Sequence, residues 1–298
     1  MSFLRPVYTE YLFKQLQKQS LNVYGSAGQG RERLLADLHE LATPAGILVV
    51  TANMKAYAKN YEGFIKDLTR QLANQLTISN ASLSLEQLID QHSQQKTVWI
   101  LLHNFDAILN NTQLDKQFGI AFFDQMNALK NRPRCFLLCM TERPFRQYQL
   151  YAEKIHSLSP LDLGLDALTN LTRDECEQEL QRRALGLQDK HLRQLLACVY
   201  AHSSPYRFLE YACNRITVEA NKSKLFERRL EIWQDDFKQQ DKRGAVGGLH
   251  TLENKFTIVS RELKRLLLVM TGLATVITAF SEKGQQAVGW IMKLFGKQ

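Results

Sequence analysis

The sequence predicts an α/β fold: a parallel sheet with helices on both faces, followed by a small helical module and a long C-terminal helical segment. Three observations predict it. A glycine-rich loop, Gly25-Ser26-Ala27-Gly28-Gln29-Gly30, stands between a short apolar run and a helical pattern. Apolar runs then alternate with helical patterns through residues 47–158, the order of a parallel sheet. From Leu249 onward, apolar residues recur in steps of three and four.

In chain order, Leu21 to Tyr24 reads as the first strand, and Leu34, Leu35, Leu38 and Leu41 beyond the loop recur at helical spacing. Ile47 to Thr51 is a second strand and Tyr61 to Leu76 a helix. Val98-Trp99-Ile100-Leu101-Leu102 is a third strand, whose unbroken apolar run suits the middle of a sheet covered on both faces. Phe122 to Leu129 is helical, Cys135 to Met140 forms a fourth strand, and Ile155 to Leu158 is read as a fifth. Asp174 to Ile216 reads as a small helical module. Between Asn221 and Arg243, Lys222, Lys224, Arg228, Arg229, Lys238 and Lys242 interleave with Glu227, Glu231, Asp235, Asp236 and Asp241, the pattern of a solvated helix face. Gly244, Gly247 and Gly248 mark a hinge. The predicted divisions are residues 1–170 for the α/β domain, 171–243 for the helical module and connector, and 244–298 for the C-terminal segment.

The loop has the outline of a phosphate-binding turn. Such a loop reads G-x-x-x-x-G-K-[ST] between a strand and a helix: backbone N–H groups cradle phosphates, the Lys reaches the β/γ oxygens and the hydroxyl holds Mg²⁺. Gly25 and Gly30 have the required separation, but Arg31 stands at the Lys position and Glu32 at the Ser/Thr position. Arg31 keeps the positive charge as a broad planar fork rather than a compact ammonium. An uncompensated Glu32 carboxylate about 4 Å from a phosphate would cost on the order of 4 kcal/mol at an effective dielectric near 20, roughly a thousandfold in affinity. Two outlets remain for it, direct ligation of Mg²⁺ or pairing with Arg33. A glycine-rich turn with no nucleotide role is the competing reading of the loop alone.

Taken together, Phe3-Leu4-Arg5-Pro6, the Gly25 to Glu32 loop, Leu101-Leu102-His103-Asn104-Phe105-Asp106 and Leu138-Cys139-Met140-Thr141-Glu142-Arg143-Pro144 resemble the AAA+ class of P-loop ATPases, in particular its origin-recognition-like and STAND-type branch. The resemblance spans Phe3 to Ile216 and lies in layout more than in residues. It implies a helical lid over residues 174–216, with Arg207 in Ser203-Ser204-Pro205-Tyr206-Arg207 facing the phosphates, and Arg143 and Arg146 where a neighbouring subunit is often met; a solvated surface charge is the alternative for each arginine. It also implies a nucleotide site built from Gly25, Gly28, Gly30, Arg31, Glu32, Asp106, Thr141 and Arg207. Hydrolysis is positioning and electrostatics around Mg²⁺ and the γ-phosphate. The strand-end acids that would do this are absent at His103 and Asn104, and Asp106 stands three positions away. The expectation is a regulatory or scaffolding pseudo-ATPase with no catalytic residues and no metal ligands, taking ATP or ADP weakly without Mg²⁺. Bacterial STAND-type defence proteins couple such modules to membrane effectors. The rival expectation is an active, DNA-associated AAA+ ATPase regulator.

Leu249, Leu252, Phe256, Val259, Leu263, Leu266, Met270, Leu273, Ile277 and Phe280 make a heptad seam that predicts self-association, as a homo-oligomer or with a related ATPase. Residues 266–280 carry no charge and are flanked by Arg261, Lys264, Arg265, Lys283, Lys293 and Lys297, and Trp290 lies in the amphipathic tail beyond. Those features suit contact with an anionic membrane surface, although the apolar stretch spans about 22 Å against a hydrocarbon core of about 30 Å. A buried hairpin in a soluble oligomer is the alternative. The net charge of +8 invites a nucleic-acid partner, but the dispersion of the basic residues argues against a phosphate track. No N-terminal signal pattern is present, so the chain is expected in the cytoplasm or at the inner membrane. Cys135, Cys139, Cys176, Cys198 and Cys213 read as reduced thiols.

Overall fold

The computed structural model describes residues 3–78, 83–109, 113–147, 161–218 and 225–244. The chain divides into two compact units, residues 1–233 and 234–298. The heptad seam, the apolar stretch, the amphipathic tail and most of the glycine hinge lie outside the described residues. The first unit begins with α1 (Pro6–Leu16), where Pro6 supplies the φ angle of a first helical turn and sacrifices an N–H that would have had no acceptor. There follow β1 (Leu21–Tyr24), α2 (Arg31–Ala42), β2 (Leu48–Asn53), the single turn α3 (Met54–Tyr57), α4 (Tyr61–Gln75), α5 (Leu85–His92) and β3 (Val98–His103). A 3₁₀ turn (Phe105–Ile108), α6 (Ile120–Lys130), β4 (Cys135–Thr141) and a second 3₁₀ turn (Phe145–Gln147) come next, then β5 (Gly164–Ala167). The helical module is α7 (Arg173–Arg182), α8 (Asp189–Ala201) and α9 (Pro205–Val218), and α10 (Phe226–Gly244) crosses into the second unit.

Local chemistry sets several helix starts. Ser84 and Gln87 close a reciprocal capping box on α5, and Thr172 and Glu175 do the same on α7, so two otherwise orphaned N–H groups are satisfied at each. Asn60 caps α4 by accepting the Gly63 N–H.

The five strands are all parallel, in the order β2-β3-β4-β1-β5. β4 is therefore interposed between β1 and β3, with Leu21 opposite Leu138 and Leu101 opposite Leu138 on its other side. β3 explains why the sheet is covered on both faces. Its residues Val98, Ile100 and Leu102 join one core with Phe64, Leu68, Leu88 and Phe122 from α4, α5 and α6, while Trp99 and Leu101 join the opposite core with Leu12, Leu16, Leu34 and Leu38 from α1 and α2. An apolar residue at every position is what a strand buried on two faces requires.

Strands 1 to 4 fall on the sequence-predicted runs, and β2 and β3 extend two and one residues further, through Asn53 and His103. The fifth strand differs: β5 is Gly164–Ala167, whereas residues 155–158 lie outside the described residues. β5 is the edge strand, alternates between half-buried and exposed positions and opens on glycine, so it lacks the apolar run that marks the others. Asp166 within it accepts from the Tyr8 hydroxyl at 2.7 Å, tying the edge to α1. All five cysteines are free thiols, and Cys135, Cys139, Cys176 and Cys213 are buried. Among the described residues no helix is long and apolar enough to cross a membrane.

Leu101 is fully buried at the sheet centre, whereas Leu165 on the edge strand is 42% exposed. Leu101→Ala is expected to lower the unfolding free energy by about 3 kcal/mol in a urea titration. Leu165→Ala should cost less than about 1 kcal/mol in the same assay.

Candidate functional site

The glycine-rich loop leaves β1 at the carboxyl edge of the sheet, where the Gly25 N–H donates to the Thr141 carbonyl at 3.0 Å and so continues the β1–β4 ladder by one step. Gly28 and Gly30 both sit at φ +80°, a left-handed conformation that glycine adopts without steric cost. Gly30 is the N-cap of α2, and the first intrahelical bond runs from Leu34 N–H to the Gly30 carbonyl at 2.9 Å. The N–H groups of Arg31, Glu32 and Arg33 ahead of that bond have no intrahelical acceptor, and they converge at the positive end of the helix dipole.

Space around the loop is tight. A Cβ on Gly28 would lie 2.4 Å from Cβ of Ser204, and one on Gly30 would lie 2.6 Å from Cδ2 of Leu4. Tyr206, in the first turn of α9, donates its N–H to the Gly28 carbonyl at 3.0 Å. Buried Arg5 donates to the Gln29 carbonyl at 3.0 Å, and the Gln29 side chain accepts from the Leu171 N–H at 3.1 Å. The N-terminal segment, the chain after β5 and the start of α9 thus all bear directly on the loop.

Arg31 is the first residue of α2 and is only 6% exposed. Its Nη2 donates to Oδ1 of Asn104 at 3.4 Å and lies 3.8 Å from Oε1 of Glu142, while its Nη1 is buried with no hydrogen-bond partner among the described residues. Asn104 follows β3 at φ +50°, a region that Asn visits more readily than most side chains, and its amide also donates to Oδ1 of Asn53 at the end of β2 at 3.0 Å. Asp106, in the 3₁₀ turn beyond, has a buried Oδ1 without a partner among the described residues, and burial raises its carboxyl above the ordinary range against the attraction of Arg31. Burial, with Arg31 and Lys55 nearby, pushes His103 down to about 4.

No family model matches this sequence, and no curated protein matches it. Solved structures do. The chain is similar to the ORC1 protein of Aeropyrum pernix in complex with DNA, at 13% identity and a TM-score of 0.52, over 80% of this chain and 66% of that one. It is similar to the ORC2 protein of Aeropyrum pernix in its ADP form, at 14% identity and a TM-score of 0.51, over 78% of this chain and 69% of that one. It is also similar to domain III of the Thermotoga maritima replication initiation protein DnaA, at 13% identity and a TM-score of 0.51, over 80% of this chain and 93% of that domain. A parallel sheet ordered β2-β3-β4-β1-β5 with a glycine loop after β1 completes the case. This is the AAA+ fold of the P-loop ATPases.

Within the AAA+ fold, the sequence-predicted residues occupy distinct places. Gly25, Gly28, Gly30 and Arg31 form the loop and its helix start, and Glu32 is exposed on the first turn of α2. Thr141 ends β4, fully buried, where its hydroxyl accepts from the Asn22 amide at 2.9 Å. Asp106 lies within the electrostatic reach of Arg31, and Arg207 is the third residue of α9, exposed, one position beyond the Tyr206 that touches the loop. Arg33 donates to Oδ1 of Asp37 at 2.6 Å and lies 3.8 Å from Oε1 of Glu179, because the i,i+4 spacing to Asp37 puts the two on one helix face.

Sequence reading gave no site role to Asn53, Glu142 or Glu179. Glu142 stands in the 138–144 stretch that carries the resemblance, but it and Asn53 join the site because β2 and β4 end beside β3. Glu179 on α7 is buried and receives Arg182 at 2.6 and 2.9 Å and Arg183 at 2.8 Å. Burial alone would raise its carboxyl, but the two guanidinium groups overcome that and hold it below the ordinary range.

His103 yields a pH prediction. Its folded-state value near 4 lies below the ordinary 6.5, so the unfolded chain binds the proton more readily. The contribution of neutral His103 to stability should be complete above pH 6.5 and be lost as the pH falls toward 4, by roughly 2 to 3 kcal/mol. Denaturant midpoints at pH 7.5 and 4.5 should show a smaller drop for His103→Gln than for the natural chain.

Proposed function

We propose that this AAA+ domain is a regulatory or scaffolding pseudo-ATPase that takes ATP or ADP weakly at the Gly25–Glu32 loop and does not turn it over. The observation that carries the reading is Arg31: it is the first residue of α2, buried at the positive end of that helix, and among the described residues its Nη1 has no hydrogen-bond partner. A buried guanidinium nitrogen at a helix N-terminus fits a phosphate oxygen. The tips of β3 and β4 fit Mg²⁺ poorly, because Arg31 already stands against Glu142, and His103 and Asn104 occupy the strand end where acids would be needed. Bound nucleotide would supply the phosphate charge; the chain would supply the cradle, Arg31 and the lid contact through Tyr206. Residues 1–170 would form the nucleotide body and 171–243 the lid and connector. Residues 244–298 would form the helices through which copies, or a related ATPase, assemble and contact a membrane surface.

Isothermal titration should give binding of ADP or ATP that Arg31→Ala weakens at least tenfold, with no phosphate release above background. Replacing Arg31 and Glu32 together by Lys and Thr should tighten binding while leaving hydrolysis negligible. Removal of residues 249–298 should convert an oligomer to a monomer in analytical ultracentrifugation, and an unchanged oligomer would refute the assembly role.

A second reading, an active DNA-associated AAA+ ATPase, draws on the likeness to an ORC1 protein solved in complex with DNA. Mg²⁺-dependent turnover abolished by Arg31→Ala, with salt-sensitive DNA binding, would establish it over the first.

A further inference from the structure

Given the nucleotide reading above, the groups around Arg31 set how many phosphates the site accepts. The cation of a phosphate loop reaches the β and γ oxygens of its ligand. Here the two ends of that cation face different surroundings. Nη1 is buried and, among the described residues, without an acceptor, so a phosphate oxygen that reached it would complete it. Nη2 faces the tips of β3 and β4, where Oε1 of Glu142 lies 3.8 Å away.

The sheet places the backbone at Glu142, the first residue beyond β4. It follows Thr141, whose carbonyl receives the first N–H of the loop and whose buried side chain is hydrogen-bonded to Asn22. Its carboxylate meets Arg31 at 3.8 Å, and because the cation of such a loop serves both β and γ oxygens, a third phosphate would have to share that guanidinium with Glu142. A second phosphate finds N–H groups and Nη1; a third brings its negative charge toward a carboxylate that already holds the same guanidinium. Like charges at such separations repel strongly, but Glu142 is 48% exposed and solvent screens much of that repulsion. About one decade in affinity is the scale to expect.

We propose that Glu142 is a specificity-determining residue that makes this loop a nucleoside diphosphate site discriminating against triphosphates. Its carboxylate stands in for a terminal phosphate against Arg31.

The test is calorimetric titration of the full chain with ADP and with ATP, in buffer containing EDTA, for the natural protein and for Glu142→Gln. The natural chain should bind ADP about tenfold tighter than ATP, and the preference should shrink at high salt as screening increases. Glu142→Gln should reduce the ratio to near one, chiefly through tighter ATP binding; Glu142→Ser, which removes the carboxylate differently, should do the same. Equal affinities in the natural chain, or a preference that survives both substitutions, would overturn the role of Glu142 while leaving the nucleotide site intact. Binding of neither nucleotide would overturn both.

Discussion

The structure depends on two positions that carry no side chain. Gly28 and Gly30 hold the loop at φ +80° and let Ser204 and Leu4 approach closer than any Cβ would permit. Any other residue at Gly28 would face both the strain of a left-handed backbone and collision with Ser204. Through those two close approaches and the Tyr206–Gly28 hydrogen bond, the loop is a packing junction for the N-terminal segment and α9. Its glycines are needed for architecture whether or not the loop holds a ligand.

That packing role bears on the chemistry at the sheet edge. In an AAA+ fold the carboxyl ends of β1, β3 and β4 meet at one place because β4 lies between the other two. Here that place holds Arg31 between Asn104 and Glu142, with His103 neutral and Asp106 held above the ordinary carboxyl range by burial. Cation and anion largely balance within the protein itself. On the proposed reading, it is the start of α2 and the unpaired arm of Arg31, rather than a cluster of acids, that would meet a ligand there.

Much of the sheet was legible because burial on two faces leaves a strong mark: Val98 to Leu102 and Cys135 to Met140 are apolar with few interruptions, and the loop glycines punctuate the chain at a characteristic spacing. The edge strand β5 left no such mark, since its stability comes from pairing with β1 and from the Tyr8–Asp166 bond rather than from a hydrophobic run. The site was legible in part. Arg31 could be placed from the motif, and His103 and Asn104 from the end of the third strand, but the meeting of Asn104 and Glu142 at Arg31 depends on strand order, a long-range property that local spacing does not encode. Arg33 shows the same limit at shorter range: Glu32 is adjacent in sequence, yet the helix turns Arg33 toward Asp37.

Glu179 carries a further consequence. This carboxylate is cut off from water and depends on Arg182, Arg183 and Arg33, the last of them belonging to the helix that begins at the loop. Drawing α7 away from α2 would strip one partner from a charge that has no solvent to fall back on, a penalty that begins with the first ångström of separation. Any separation of the helical module from α2 would therefore have to break this contact first.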